Sequence, residues 1–489
     1  MKTILRRRVL LSIALAATAA VHGAESPAAA RSAPAASEIV MLSAFEVKGT
    51  AGFGYRTSNS VTGTKGLKPL IDIPASVSIV TRDFIDDMVS RQTIGDIFKY
   101  AVAGAPPSTN RNNFVQVRGQ RFEAPWQDGI RVSNSPNELS VIDSIEILKG
   151  VNSVLYGTRV PAGGLVNRIT KRPQTTPATS VKLQYGSYDF KRAEFDSTGA
   201  VPGTDRKFAY RLVAAWQDDP GYRGRSDQNA YAPMFQYSSG GTTVRHQFIW
   251  SETTTSGEFP GGIANPDGTP YLRAGRRTDY KADWSFTRKE TGVHATTWIQ
   301  KFGHWESRVV YMAERTERDD EDHRRQGAAN FTTNLSPHRY FGQAELRRFD
   351  SLQQDLVGHY TLGGVRVNTN LGWSQNREIL NQDRQEIDLA TGRANGVYSR
   401  ATVATPAQGQ LNIVNPNLAA IRRPGDADRI IPGRYADTRT VVTGTTFYGT
   451  QSFDVVPNRL SLTLGGSYAK EKSSVHDLPD ATQREAQRR

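Results

Sequence analysis

The chain of 489 residues carries 61 Lys and Arg against 48 Asp and Glu, a formal net charge of +13, and no cysteine. Its length exceeds the roughly 250 to 300 residues that one compact core supports, so we expect two domains or one very large barrel. The lack of cysteine in the sequence excludes disulfide frameworks, thiolate zinc sites, iron–sulfur clusters and Cys nucleophiles. A hydrophobic content of 37% with 43 Gly and 24 Pro favours many short strands joined by turns over a helical membrane protein.

The N-terminus has the three parts of a secretory signal peptide. Lys2 and Arg6–Arg8 are basic, residues 9–21 are uncharged and mostly apolar, and small residues follow up to Ala24. The apolar run is shorter than the roughly 20 residues that a transmembrane helix needs. We therefore assign residues 1–24 to a signal peptide, with a buried N-terminal helix as the alternative, and expect an exported protein.

Residues 25–58 begin as a linker rich in Ala, Pro and Ser, a composition that buries little apolar surface. An apolar, β-prone segment then starts at Ile39, Val40, Met41, Leu42 and Ser43. Such a segment suits either a peptide that adds to a partner as a strand or the first strand of the next domain.

Residues 59–173 have the pattern of a compact α+β unit. A β-type run at 76–80 is followed by Thr81, a suitable N-cap for a helix over 82–88, and a second helix is expected over 93–100. Further strands are expected at 114–117, 130–132 and 144–148, with a turn at Asp128-Gly129.

Residues 174–489 alternate between apolar and polar positions in long strands. Leu460, Leu462 and Leu464 share one face, whereas Ser461 and Thr463 share the other. A soluble β-sandwich would also alternate. Strands of about ten residues with aromatic residues near their ends favour a transmembrane barrel, in which the apolar face meets lipid.

Eleven candidate strands occur in this region, and one of them, 341–362, is expected to continue unbroken through Asp350. The strands are 181–186, 189–199, 207–217, 231–238, 242–252, 293–301, 304–314, 341–362, 365–376, 441–455 and 459–471. Apart from the first hairpin, short links alternate with long ones, as in outer-membrane barrels.

The order and spacing of several motifs resemble the plug of TonB-dependent outer-membrane receptors. The motifs are Asp-Ile-Pro-Ala-Ser-Val-Ser-Ile-Val-Thr at 72–81, Val-Arg-Gly at 117–119, Gln-Asp-Gly-Ile-Arg at 127–131, Ile-Asp-Ser-Ile-Glu-Ile-Leu-Lys-Gly at 142–150, Ser-Val-Leu-Tyr-Gly at 153–157 and Pro-Ala-Gly-Gly-Leu-Val-Asn-Arg-Ile-Thr-Lys-Arg-Pro at 161–173. The first and last are most similar to the siderophore-receptor branch of the family. The resemblance implies a mainly β protein, with a small α+β plug domain inside an antiparallel transmembrane β-barrel.

The resemblance also implies roles for single residues. Ile39–Ser43 would be the TonB box, bound by TonB acting with ExbB and ExbD. Arg118 and Lys149 would face acidic residues of the barrel, and Glu146 would belong to the same plug–barrel lock, with ordinary surface ion pairs as the alternative. Val151-Asn152, Ser144 and Gln120 depart from the family pattern, which weakens the inferred lock geometry.

In this architecture the ligand rests on plug loops that point outward, here 104–114, 120–126 and 133–138. The implied ligand-binding residues combine positive charge, aromatic rings and amides, a mixture suited to an anionic or aromatic metal chelate. They are Arg111, Asn113, Phe114, Arg121, Phe122, Trp126 and Asn134. Arginines in the long barrel links, such as Arg324 and Arg325, suit either the cargo or lipopolysaccharide phosphate.

The function expected from these features is TonB-driven uptake of a ferric siderophore across the outer membrane of a Gram-negative-type cell. The alternatives are uptake of another large solute, such as a corrinoid or an oligosaccharide, and a secreted β-sandwich binding module. We expect no enzyme, since the sequence has no HExxH, Walker or G-x-S-x-G motif. We also expect no cofactor or metal site beyond the iron carried by the siderophore, and no nucleic-acid partner.

The odd number of strands leads to an expectation about length. Bacterial barrels close with an even number of strands, and the resemblance implies 22. We expect residues 174–489 to be the N-terminal part of a barrel that is truncated in this sequence.

Overall fold

The computed structural model describes the chain from Gly54 to Asp477 with gaps. The described residues are 54–62, 65, 68–73, 75–88, 94–102, 115–117, 120–122, 126–132, 138–149, 156, 164–221, 224–256, 273, 281–325, 331–332, 334–388, 393–394, 410–412, 414, 438–456 and 459–477. They belong to one compact unit. The expected signal peptide and the segment Ile39–Ser43 lie outside the described residues.

The plug consists of short strands and two helices. Its elements are β1 (Asn59–Ser60), β2 (Lys68–Pro69), β3 (Ser76–Val80), α1 (Arg82–Asp87), α2 (Ile94–Ala101), β4 (Val115–Val117), β5 (Gln120–Phe122), β6 (Trp126–Gln127), β7 (Ile130–Arg131), β8 (Ile142–Lys149) and β9 (Gly164–Thr170). Five of the strands form one sheet in the order β3-β8-β9-β6-β7. The predicted helices are confirmed to within one residue at each end, and the Thr81 side chain accepts a hydrogen bond from the Phe84 amide as the predicted N-cap.

Eleven long strands form a second, antiparallel sheet in chain order. They are β10 (Ala178–Gly186), β11 (Phe190–Ala200), β12 (Phe208–Asp218), β13 (Ser226–Ser239), β14 (Thr242–Thr255), β15 (Phe286–Phe302), β16 (Trp305–Arg325), β17 (Leu335–Leu362), β18 (Val365–Asp388), β21 (Thr438–Val456) and β22 (Leu460–Asp477), while the short β19 (Arg393–Ala394) and β20 (Gln410–Asn412) pair with β18 and β17. The predicted number and order of strands are confirmed. The continuous strand through Asp350 is also confirmed, since β17 pairs with β18 without a break in register.

Several of these strands run well beyond their predicted ends. β16 ends at Arg325 rather than at residue 314, because its polar second half stays paired with β17 throughout. The extra length lies at the end of the strands away from the short connections. Those connections are tight turns: Gly363 and Gly364, for example, have φ of 57° and 81°, as a two-residue type I′ hairpin requires. We call the end of the sheet with the short connections its turn end and the opposite end its loop end.

The two faces of the eleven-stranded sheet differ in polarity. In β14, Arg245 and Gln247 are buried on the inner face, whereas neighbouring His246 is exposed on the outer one. Large apolar side chains are exposed along the outer face, including Leu212, Trp216, Phe235, Trp298 and Leu371. A soluble sandwich would place its apolar face inward, so this inversion favours a sheet that meets lipid on the outside. Within the described residues, the structure contains no helix with the length and hydropathy of a membrane span.

The plug and the inner face of the sheet share one hydrophobic core. Ile97, Phe98 and Ile145 of the plug pack in the same buried cluster as Val213 and Met234 of the sheet. Each such side chain contributes roughly 1.5 to 3 kcal/mol when fully buried. The plug is therefore seated on the inner face of the sheet, which we call the wall.

Candidate functional site

The candidate site is the surface along which the plug meets the wall, where charged side chains are buried between them. Glu138 precedes a 3-10 turn of the plug, and Arg192 lies on β11. The two form an ion pair in which the side chains are 1% and 2% exposed. Arg192 also pairs with Glu194 at 2.7 Å, and the Glu138 carboxylate accepts a hydrogen bond from the Ser140 amide at 2.8 Å.

The charge state of Glu138 follows from these contacts. Burial alone would raise the pKa of its carboxyl, but the charge and hydrogen bonds of Arg192 outweigh burial and hold the pKa below its ordinary value. Glu138 is therefore ionised at neutral pH, and the pair with Arg192 is a true ion pair.

A second ion-pair group joins the plug to the turn end of the wall. The Lys171 Nζ atom lies 2.7 Å from Asp196 Oδ2 on β11. Arg211 on β12 donates two hydrogen bonds to the same carboxylate, at 2.8 and 2.7 Å, and a third to the Arg172 carbonyl oxygen. The chain just after β9 is thus fixed to the wall by the Lys171 side chain and the Arg172 carbonyl oxygen.

A third group lies nearer the loop end. Arg131 of β7 pairs with Glu378 of β18 at 3.3 Å, and Arg347 of β17 reaches the same carboxylate at 3.3 Å. The Arg131 guanidinium is also 5.9 Å from the centre of the Phe349 ring. Arg347 also pairs with Glu345 at 3.0 Å, so two guanidinium groups and two carboxylates balance each other in this part of the wall.

A hydrogen-bonded contact crosses the interface at the predicted turn Asp128-Gly129, which is confirmed. Both residues have positive φ, 50° and 82°. The Asp128 carboxylate accepts hydrogen bonds from the Thr170 amide at 3.0 Å, the Thr170 hydroxyl at 2.7 Å and Gln247 of β14 at 3.3 Å. The turn that ends β6 is thereby tied to the wall.

A small cavity lies between the plug and the wall. It has a volume of about 40 Å³, and it is lined by Trp126, Ile130, Arg131 and Tyr156 of the plug and, from the wall, by Ser351, Gln353, Ser374, Asn376, Gly444, Thr446, Ala469, Lys470 and Glu471. A volume of this size holds a few water molecules. Its polar lining provides partners for them.

Comparison with known proteins identifies the plug. Residues 69–164 match the family model described as the TonB-dependent Receptor Plug Domain. Residues 69–164 therefore form a plug domain of the TonB-dependent receptor type. The predicted family is confirmed, as is the predicted fold of a small plug on an antiparallel barrel-type sheet.

Curated relatives of this chain include receptors named for ferric-pyoverdine, ferrioxamine and ferrichrome. The chain is 26% identical to a ferric-pyoverdine receptor of Pseudomonas sp. strain M114 over 56% of its own length and 34% of the relative's. It is 30% identical to a ferrioxamine receptor of Yersinia enterocolitica, over 37% of its own length and 26% of the relative's. It is 28% identical to the ferrichrome outer membrane transporter and phage receptor of Escherichia coli K12, over 36% and 25%. The chain thus spans about a third or less of the length of these relatives.

Solved structures share the fold at low sequence identity. The ferripyoverdine receptor of Pseudomonas aeruginosa matches with a TM-score of 0.75 and 18% identity, over 89% of this chain and 56% of that one. The ferric preacinetobactin receptor of Acinetobacter baumannii matches with a TM-score of 0.70 and 16% identity, over 87% and 62%.

Most predicted ligand-binding residues lie outside the part of the plug that the structure describes. Those outside are Arg111, Asn113, Phe114 and Asn134. Arg121 and Phe122 lie in β5, where they pair with Gln116 and Val115 of β4. The binding role of these six residues stays a prediction.

Trp126 is described, and its position differs from the predicted outward loop. It lies in β6 with 6% of its surface exposed. Its ring meets that of Tyr156 edge-on, with 4.9 Å between the centroids. Trp126 is therefore a packed interior residue that borders the cavity, and its role in ligand binding stays a prediction.

The predicted lock residues are only partly described. Arg118 lies outside the described residues. Lys149 ends β8 and is half-buried, opposite Ser76 and Gly164. Glu146 is buried, but it accepts its hydrogen bonds from within the plug: from the Ser60 hydroxyl at 2.6 Å, the Thr62 amide at 2.8 Å and the Val61 amide at 3.3 Å. Its place in a plug–barrel lock stays a prediction.

The interface residues that the structure does bring together were missed by sequence reasoning. Arg131 belongs to the motif at 127–131, and Glu138 ends a predicted outward loop, yet both point to the wall. Arg192 and Asp196 occupy alternate, inward positions of β11. Their alternate positions in the sequence indicate that they point inward. Every polar residue of the wall shares this alternation, so it does not show which of them contact the plug. In the part of the chain that the structure describes, no group of three or more His, Asp or Glu side chains could hold a metal ion.

Proposed function

We propose that this chain is part of an outer-membrane receptor that takes up a ferric siderophore with energy supplied by TonB. The observation that carries the proposal is the plug, seated by buried ion pairs on the polar inner face of a sheet whose outer face is apolar. A sheet with these two faces suits a barrel in the outer membrane, with lipid outside and cargo passing inside. Lipid, including lipopolysaccharide, would then cover the outer face.

The proposed cargo rests on the relatives and on charge. The three curated relatives are named for ferric-pyoverdine, ferrioxamine and ferrichrome. The predicted ligand-binding residues Arg111 and Arg121 suit an anionic chelate. A corrinoid or an oligosaccharide is the second candidate, because large polar solutes would meet the same polar wall.

The proposed energy source is TonB, with ExbB and ExbD, acting on the segment Ile39–Ser43. A plug whose contacts with the wall include several buried ion pairs is a suitable object for such a pull. Attraction between buried charges and their desolvation nearly cancel, so a pair that is exposed to water separates at little net cost.

The proposed receptor performs no chemistry on its cargo. The family is a family of transporters and receptors, iron enters as part of the siderophore, and we propose neither a resident cofactor nor a nucleic-acid partner. The alternative of a secreted β-sandwich is wrong, since the long strands form one sheet that carries a plug on its inner face.

Uptake measurements test the proposal. Cells that carry the gene would be supplied with radiolabelled hydroxamate and pyoverdine-type iron chelates, with a labelled corrinoid and a labelled oligosaccharide as parallel arms. We expect accumulation of an iron chelate that stops when TonB is absent. Accumulation of only the corrinoid or the oligosaccharide would replace the proposed cargo, and accumulation independent of TonB would contradict the proposed energy source.

A further inference from the structure

We infer that Lys65 is a positioning residue that seats the N-terminal segment of the plug on the wall, through its buried side chain, whose Nζ atom lies over the ring of Tyr448. The inference deepens the proposed function, because this segment lies between Ile39–Ser43 and the body of the plug. Along the chain, Lys65 comes before β3, the first strand of the plug sheet.

The residues just before Lys65 are fixed to the plug. Besides the hydrogen bonds to Glu146 described above, the Tyr156 hydroxyl donates to the Thr62 carbonyl oxygen at 2.7 Å, and the Asn167 amide donates to the Thr62 hydroxyl at 2.9 Å. Thr62 is thus held through its backbone and its side chain. The chain direction at Lys65 is set by these contacts.

Lys65 itself crosses to the wall. Its Nζ atom lies 3.7 Å from the centre of the Tyr448 ring on β21 and 4.9 Å from that of Tyr156 in the plug. The residue is 3% exposed, and its φ is 54°. A non-glycine residue persists in this left-handed conformation where surrounding contacts fix it.

The wall holds the Tyr448 ring in place. The Tyr448 hydroxyl donates to Asp355 of β17, whose other oxygen accepts from Gln353 at 2.7 Å and from Arg308 of β16 at 2.7 and 3.0 Å. Arg308 thereby neutralises Asp355. Among the described residues, no carboxylate lies within ion-pair distance of Lys65, so its ammonium is stabilised mainly by aromatic faces.

The charged groups that face Lys65 are therefore Asp355 and Arg308, together with the phenols of Tyr448 and Tyr156. Burial lowers the pKa of Lys65 to about 7, and of the two charges Asp355 raises it and Arg308 lowers it. In water the pKa returns to that of an ordinary lysine, 10.5. At a pH between these two pKa values, Lys65 therefore takes up a proton when the segment parts from the wall.

The sign of the pH effect follows from that proton. Because opening takes up a proton, the contact between the N-terminal segment and the wall becomes more stable as pH rises from about 7 towards 10. It is weakest at and below pH 7, where Lys65 is charged both when the segment is seated and when it is open. The equilibrium for opening should change by at most about tenfold per pH unit inside this window. A merely structural contact would show no such profile.

The sequence has no cysteine, so a single introduced thiol can report the opening. Val61 is buried beside the seat, and its side chain takes no part in the hydrogen bonds to Glu146. We would label Val61→Cys with a maleimide in outer-membrane vesicles at pH 6.5 to 9.5. Rates would be normalised to Arg56→Cys, an exposed position on the same segment, which removes the pH dependence of the thiol itself.

In this background we expect normalised labelling to slow as pH rises above 7. Lys65→Met, which is never charged, should label slowly at every pH, and Lys65→Arg, which is always charged, should label fast at every pH. Tyr448→Phe keeps the ring and should keep the profile, whereas Tyr448→Leu should speed labelling most at pH 6.5.

A normalised rate that is the same in the wild-type background, Lys65→Met and Lys65→Arg would overturn the inference. So would a profile with the opposite sign. The assay contains neither cargo nor TonB, so its failure is distinguishable from failure of the proposed function.

Discussion

Glu138 of the plug and Arg192 of the wall form an ion pair that is closed to solvent on both sides. Coulomb attraction in such a place is strong, but so is the cost of removing both charges from water. The net contribution of the pair is therefore small, while the cost of leaving either charge alone is large. This asymmetry makes the pair a sensitive probe of how the plug is held.

Arg192→Met should destabilise the seat of the plug by about 3 to 5 kcal/mol, because it leaves the Glu138 carboxylate buried without its partner. The measurements are the unfolding temperature and the entry of a large antibiotic into cells. The double variant Glu138→Leu with Arg192→Met should recover most of the loss, and Arg225→Ala, at a pair whose Arg225 side chain is 60% exposed, should change little. A double variant as damaged as Arg192→Met alone would contradict this account.

Acid should weaken the same contact. The pKa of Glu138 is lowered in the seated plug, so its contribution is complete above the ordinary pKa of a glutamate and is lost as pH falls through the lowered value. Plug release, followed by protease sensitivity of the plug, should therefore increase as the medium is acidified below about pH 4.5. Glu138→Gln should show a smaller change over this range; an unchanged acid profile in that variant would assign the effect to other carboxylates.

Glu146→Ala should free the N-terminal segment while leaving the plug sheet in place. The substitution removes the acceptor of the Ser60 hydroxyl and of the Val61 and Thr62 amides, and each buried donor left unsatisfied costs about 1 to 3 kcal/mol. Hydrogen exchange of residues 60–62 should become faster, whereas exchange in β9 should stay slow. Equal acceleration in β9 would show that Glu146 supports the whole plug instead.

The strand order of the large sheet could be predicted because its strands alternate between apolar and polar positions over much of their length. The interior strand β9 could not, since all seven of its residues are buried and no alternation marks it. The contacts between side chains at the site are even harder to predict from the sequence. Glu146, predicted to belong to a plug–barrel lock, accepts hydrogen bonds from Ser60 and Thr62, because the fold returns a segment more than eighty residues distant to β8. Pairings of this kind depend on tertiary structure, which leaves no local pattern.

Trp126→Ala and Arg121→Ala should act in different ways. Trp126 is packed against Tyr156, so its removal should lower the stability of the plug by about 3 to 5 kcal/mol. Arg121→Ala should instead weaken cargo affinity by about 1 to 3 kcal/mol through the loss of a charge-assisted contact, with no shift in unfolding temperature. Arg324→Ala, on the long β16, serves as the control and should leave affinity unchanged. Cargo affinity that is identical in Arg121→Ala and the unmodified protein would move the binding site away from β5.

Deletion of Ile39–Ser43 should abolish uptake and leave cargo binding intact. The segment is apolar and β-prone beside a linker rich in Ala, Pro and Ser, which suits capture by a partner through strand addition. The predicted ligand-binding residues begin only at Arg111, far along the chain from it. Binding would be measured on whole cells at low temperature and uptake at growth temperature, with the same labelled chelate. Deletion of an equal length within residues 26–36 provides the control, since it shortens the linker and keeps the apolar segment. Undiminished uptake after removal of Ile39–Ser43 would refute its role as the TonB-binding segment, whereas loss of binding as well would mean that the segment supports the folded plug.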